Sequence, residues 1–186
     1  MMIGEMTTLN VPETLIELLR HAVDRHRKPD ALRYKSERQW RDISSDDLLT
    51  RVRHAALGLD RLGIASGDRV AMLAESSPLW TIADFGILAT GAINVPIYPT
   101  QSSQQVEYIL EESRPSLLFI SSARQVRRIR PVLEAFPDMR VVTFQPGVEG
   151  YVDFATLEAS GAEADAESPK RFDELRSAIG SDDPAS

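Results

Sequence analysis

Apolar residues recur at three- and four-residue spacing in some stretches of the chain and run together in others, and the two patterns take turns. Leu15, Leu18, Leu19, Ala22 and Val23 form one stripe of an amphipathic helix over residues 14–26. "ALRYKS" and "RQWRDI" are rich in strand formers around a polar turn and predict a short hairpin. Ser44 or Ser45 then caps a helix whose first turn carries Asp46 and Asp47, where the helix dipole favours negative charge. Leu48, Leu49, Val52, Ala55, Ala56, Leu59 and Leu62 give that helix its buried stripe, and Gly63 stops it.

Between residues 69 and 144 strand and helix patterns alternate. "RVAMLA" reads as a buried strand, and Ser77-Pro78 as an N-cap with proline at the first helical position. The following helix is apolar nearly all round, through Leu79, Trp80, Ile82, Ala83, Phe85, Ile87, Leu88 and Ala89, so it must be packed between other layers. "AINVPI" is the next strand, Ser102 with Gln105 a capping box opening a helix to Ser113, "LLFIS" a strand, 124–136 a helix and "RVVTF" a strand. This order predicts an α/β fold: an open, mainly parallel sheet of βαβ units with helices on both faces, plus a small N-terminal hairpin.

In such a sheet, ligands bind beyond the carboxyl ends of the strands. The stretch "GAINVPIYPTQSSQQVEYILEES" bears on that edge. Pro96 is read as removing a ladder donor and Pro99 as fixing a further backbone angle, so Tyr98, Pro99 and Thr100 leave the sheet as a stiff loop. Two readings of the loop stay open: a rigid strand-to-helix connection, or a wall of a ligand site.

With 186 residues, of which 42% are hydrophobic and 26% charged, the chain can enclose a single globular core. The formal charge of −7 is unevenly distributed: residues 147–186 hold ten acidic and three basic side chains, which accounts for all of it. A neutral body with an acidic end gives no electrostatic footprint for nucleic acid, which needs positive charge clustered on one face, so no nucleic-acid partner is expected. Residues 1–146 are therefore expected to form the α/β body. Residues 147–186 are read as an acidic, partly mobile extension, its segment 147–169 being composed of small and charged residues that bury little.

With no cysteine, disulfides, thiolate metal sites and cysteine nucleophiles are excluded, which fits a reducing interior. The start, "MMIGEMTTLNVPETL", has neither the basic flank nor the apolar run of a secretory signal. The most apolar stretch, residues 79–97, is interrupted by Thr81, Asp84, Thr90 and Asn94, so no transmembrane segment is expected. There is no G-x-G-x-x-G and no G-x-x-x-x-G-K-[ST] phosphate cradle. His21, His26 and His54 are read as surface residues and no metal site is proposed. In "ARQVRRIR", Arg124, Arg127 and Arg128 fit a solvated helix face, with phosphate reception as the alternative. The adjacent carboxylates Asp46/Asp47, Glu111/Glu112 and Asp182/Asp183 do not converge as a general acid and base would.

The stretch "LGIASGDRVAMLAESSPLWTIADFGILATGAINVPIYPTQSSQQVEYILEES", together with "PDALRYKSERQWRDISSDDLL" before it, resembles the amino-terminal part of the adenylate-forming enzymes, and among them bacterial long-chain fatty-acid–CoA ligases. The resemblance implies that the chain is part of a larger N-terminal domain. It also implies a parent that uses ATP and magnesium to convert a fatty acid to an acyl-adenylate, then coenzyme A to form the thioester. In relatives a segment like "SDDPAS" leads into a strand and a Ser/Thr/Gly-rich loop ending in Pro-Lys-Gly, which lies beyond Ser186 here, as do the catalytic lysine and the nucleotide motifs. No catalytic residue is therefore assigned, and the chain alone is expected to be inactive. The resemblance places Tyr98, Pro99 and Thr100 near the path by which pantetheine reaches the adenylate. A medium-chain or aryl acid–CoA ligase, or a free-standing doubly wound binding module, is the alternative reading. A cytoplasmic location, at most peripheral at a membrane, and self-association through an exposed sheet edge or apolar face complete the expectations.

Overall fold

The computed structural model describes residues 11–186, so most of the stretch searched for a secretory signal lies outside them. Helix α1 (Leu15–Arg25) starts at Thr14, whose hydroxyl accepts the Glu17 amide. Strands β1 (Leu32–Ser36) and β2 (Gln39–Ile43) form the hairpin, joined by Glu37 and Arg38 in the left-handed region. Ser44, not Ser45, caps α2 (Ser45–Arg61). Then follow β3 (Arg69–Leu73), α3 (Pro78–Ala89), β4 (Ile93–Ile97), α4 (Ser103–Ser113), β5 (Leu117–Ile120), α5 (Ala123–Arg128), α6 (Arg130–Ala135), β6 (Arg140–Thr143), β7 (Val152–Asp153), α7 (Phe154–Glu167) and α8 (Arg171–Ser177).

The single helix expected over 124–136 is two short ones. Pro131 has no amide to offer the preceding turn, and Ile129 departs from helical geometry between them.

Strands β3 to β7 make one parallel sheet in the order β4-β3-β5-β6-β7. It is covered on both faces, which is why β5 is apolar at every position and β3 at every position after Arg69. Val70, Met72, Leu117, Phe119 and Val142 point into the core shared with α2, α3 and α7, while Ala71, Leu73, Leu118 and Ile120 point into the core under α4, α5 and α6.

β4 is an edge strand, and this corrects the reading of Pro96. The Ile93 amide points inward, to the Asp68 carbonyl, whereas the Asn94 amide points outward and meets the Ala185 carbonyl at 3.0 Å. Pro96, two residues on, shares the outward side, so its missing donor takes nothing from the β3–β4 ladder and the strand runs unbroken to Ile97. The Asn94 side chain is buried and donates to Asp84 Oδ1 at 2.6 Å. Burial raises the Asp84 carboxyl above its ordinary range, an effect that this hydrogen bond only partly offsets.

The acidic segment after residue 147 buries far more than its composition suggests. Phe154, at 1% exposure, packs against Phe119 and Phe144 with ring centroids 5.7 and 5.4 Å away, and Leu157 and Phe172 are buried with it. Helix α7 crosses α2 in backbone contact: a Cβ on Gly161 would lie 1.8 Å from the His54 carbonyl oxygen, and one on Gly58 2.4 Å from that of Leu157. The acidic side chains answer the arginines of α2. Arg51 holds Glu158 through two bonds of 2.8 Å, Arg53 holds Asp165, and Arg61 reaches Glu163 and Glu167. Arg171, reaching back from α8, pairs with Asp60.

Gly161→Ala should therefore destabilise the protein by about 1–3 kcal/mol, because backbone and not a flexible side chain blocks the added methyl group. Chemical denaturation checks this, with Gly180→Ala, which meets only a side-chain atom at 3.8 Å, as the near-neutral control.

Asp84 gives a second test, with a definite sign. A carboxyl raised in the folded state costs nothing below its unfolded pKa and lowers stability as pH rises through its folded pKa. Asp84→Asn, which keeps an acceptor for Asn94, should match the parent in acid and be the more stable of the two at pH 7 across a pH series of denaturation curves.

Candidate functional site

The parallel sheet brings the carboxyl ends of β3, β4 and β5 to one edge, and three connections emerge there: Ala74-Glu75 after β3, Tyr98 to Gln101 after β4, and Ser121 after β5. Tyr98, Pro99 and Thr100 form the stiff loop read from the sequence. The Gln101 amide donates to the Tyr98 carbonyl at 3.1 Å, closing a four-residue turn with Pro99 at its second position, where proline's fixed angle fits. The Ser102–Gln105 capping box then starts α4, with both reciprocal bonds made.

The side chains of the loop face outward. Tyr98 is 75% exposed and Thr100 is exposed, while Pro99 is half-buried. Its backbone faces inward, toward α5. Gln125, buried at 6% exposure, donates from Nε2 to the Pro99 carbonyl at 3.3 Å and to Glu75 Oε1 at 3.1 Å. Its Oε1 accepts from Arg128 Nε at 2.7 Å, and Arg128 Nη1 donates to the Gln101 carbonyl. Ser103 Oγ donates to the Arg128 carbonyl at 3.2 Å. Glu75, Gln125 and Arg128 thus join three strand ends.

This contact set was not anticipated from sequence. The basic run does present Arg124 and Arg127 to solvent, but Arg128 turns inward to Gln125 and the loop. One signal was available: a glutamine three residues before an arginine on a helix that opens directly after a buried strand. Trp80 is half-buried on α3 and Asn94 lies at the sheet edge, both away from the loop.

Chemically the edge offers hydrogen-bonding groups, a phenol and a hydroxyl, with no nucleophile–base pair drawn together. Among the described residues no three His, Asp or Glu side chains cluster as metal ligands, and no helix is long and apolar enough to cross a membrane. His54 lies 3.8 Å from Asp165, within the α2–α7 contact. Asp47 accepts from Ser44 and Asp183 from the Gly180 amide, so both act locally at chain turns.

Comparison with known proteins adds what the geometry leaves open. The sequence model of the AMP-binding enzymes matches residues 19–186. Over 139 residues the chain is 36% identical to the long-chain-fatty-acid–CoA ligase FadD15 of Mycobacterium bovis, covering 74% of this chain and 23% of that protein. It is 27% identical over 131 residues to the long-chain-fatty-acid–CoA ligase ACSBG1 of Bos taurus, covering 70% and 18%. The chain thus spans less than a quarter of the length of these curated relatives. In fold it is similar to the anthranilate CoA ligase AuaEII crystallised with anthranoyl-AMP, with a TM-score of 0.71 at 22% identity over 80% of this chain and 29% of that one. It is also similar to a benzoate CoA ligase from Burkholderia xenovorans LB400, with a TM-score of 0.67 at 18% identity over 78% and 28%.

Proposed function

We propose, for a chain that belongs to the AMP-binding enzymes, that it is the amino-terminal part of a long-chain fatty-acid–CoA ligase. The observation that carries the substrate class is the 36% identity to a ligase of that name; the likeness to aryl-acid ligases is one of fold alone. In the proposed activity a fatty-acid carboxylate attacks the α-phosphorus of ATP, the bond to pyrophosphate breaks, and an acyl-adenylate forms. The thiol of coenzyme A then adds to the acyl carbon, gives up its proton, and AMP leaves as the thioester forms. Magnesium, when bound, offsets the charge on the departing pyrophosphate. The residues that grip ATP and metal belong, on this reading, to segments following Ser186, to which the stretch after residue 147 leads. A cytoplasmic location belongs to the same reading.

Within this activity the chain's own contribution is positional. The loop Tyr98-Pro99-Thr100 is read as a wall of the route along which the thiol approaches the adenylate. Support comes from its place at the carboxyl edge of the sheet, its two outward side chains and its tethered backbone.

Two outcomes test the proposal. The 186-residue chain by itself should show no ATP–pyrophosphate exchange with any fatty acid; exchange by a pure sample sinks the assignment of the nucleotide site to other segments. In the complete ligase, Thr100→Trp or Pro99→Gly should slow acyl-CoA formation by on the order of a hundredfold while leaving pyrophosphate exchange intact, since displacement of a reacting group by about 1 Å carries a cost of that size. Equal losses in both half-reactions, compared at equal folded fraction, would mark the loop as scaffold.

A further inference from the structure

Gln125 is a buried amide on a six-residue helix whose arginines at 124 and 127 face solvent. A buried amide is tolerated when its hydrogen bonds are made, and here each goes to a different chain segment. Nε2 serves the carbonyl of Pro99 and the carboxylate of Glu75, while Oε1 receives Arg128. Only a side-chain amide of this length donates to a carbonyl and a carboxylate at once while accepting from a guanidinium: glutamate has no hydrogen to give, lysine has nothing to accept with, and methionine does neither.

The contacts also have a pattern along the loop. The Pro99 and Gln101 carbonyls are taken by Gln125 and Arg128, and Ser103 returns a bond to the Arg128 carbonyl. The residues that alternate with them, Tyr98 and Thr100, keep their side chains outside. Proline and the Tyr98–Gln101 turn bond shape the loop. A single exposed turn bond opens readily, and the contacts to α5 hold the turn closed as well as fixing its swing about the end of β4.

We propose that Gln125, together with Arg128, is a positioning residue that sets the Tyr98–Gln101 loop through its main-chain carbonyls, leaving the outward side chains at 98 and 100 free to meet a substrate. The substrate part rests on the reading of this loop as the thiol's wall; the clamp itself does not. Because the hold is on backbone atoms, the loop's placement is independent of which side chains it displays. Glu75 brings the end of β3 into the same clamp, so the loop is registered against two strands.

Amide hydrogen exchange in the 186-residue chain tests the clamp directly. Gln125→Met should speed exchange at the Gln101 amide by roughly fivefold or more, since a lost hydrogen bond is worth about 1 kcal/mol, with the amides of β3 and β5 unchanged. Arg128→Met should do the same, and Arg128→Lys, which keeps a donor for the Gln101 carbonyl, should restore slow exchange. In the complete ligase Gln125→Met should raise KM for coenzyme A without altering pyrophosphate exchange. Unchanged Gln101 exchange in a folded Gln125→Met chain overturns the clamp, as does acceleration shared equally by β5, which marks a purely structural role. Should Gln125→Met fail to fold, the Arg128 pair decides: a lysine variant as fast as the methionine one overturns the proposal. A loosened loop with both half-reactions intact upholds the clamp and removes the thiol-wall reading, so the two ideas fail separately.

Discussion

The backbone contact between α2 and α7 is the constraint on which the far half of the molecule depends. Two glycines, Gly58 and Gly161, let the helices meet without intervening side chains, and at that distance Arg51, Arg53 and Arg61 reach the carboxylates along α7. The Arg61 pairs are exposed and contribute little individually, while Arg51–Glu158 and Arg53–Asp165 are part-buried and two-pronged, so they fix how the two helices are oriented. Its energetic weight lies below, where α7 delivers Phe154 to Phe119 and Phe144 and so closes the core over β5 and β6. The two-residue β7 leads directly into α7, so the burial of Phe154 also helps to hold it beside β6.

A second constraint acts at the opposite side of the sheet. Parallel pairing sends every strand end to one edge, and the short connections from β3, β4 and β5 meet there without any long excursion of the chain. The inner face of the β4 loop is satisfied by α5, which converts a surface connection into a fixed platform whose polar backbone is spent on the protein and whose side chains are not. A loop so held has few backbone states available, and a group placed on it would enter a reaction with little ordering left to do.

Much of this was legible in the sequence. The caps at Ser77 and Ser102 and the alternation from residue 69 to 144 are local patterns, and local patterns survive folding because near neighbours satisfy them. What could not be read depended on distant partners. "ASGAEADAES" looks like solvated chain until Gly161 is seen against the His54 carbonyl, a contact made across more than a hundred residues. Pro96 looks like a break until the Asn94 amide, two residues before it, is seen to point away from β3, because sequence alone does not say which strand lies at the edge. Arg128 looked like its exposed neighbours since one turn of helix carries several directions, and only the presence of the β4 loop distinguishes them. The loop itself was placed correctly at the sheet's carboxyl edge; the residues that hold it were missed because they act through main-chain carbonyls, which no side-chain motif records.

The outward side of β4 carries one further consequence. Of its two outward positions, residue 94 has its donor engaged by Ala185 and residue 96, being proline, has none. A strand arriving here from another molecule finds acceptors without the alternating donors that a continuous ladder needs, so pairing along this edge is disfavoured. The proline that looked like damage to a strand thus acts as a gatekeeper, placed where it costs the native sheet nothing and denies a template to aggregation.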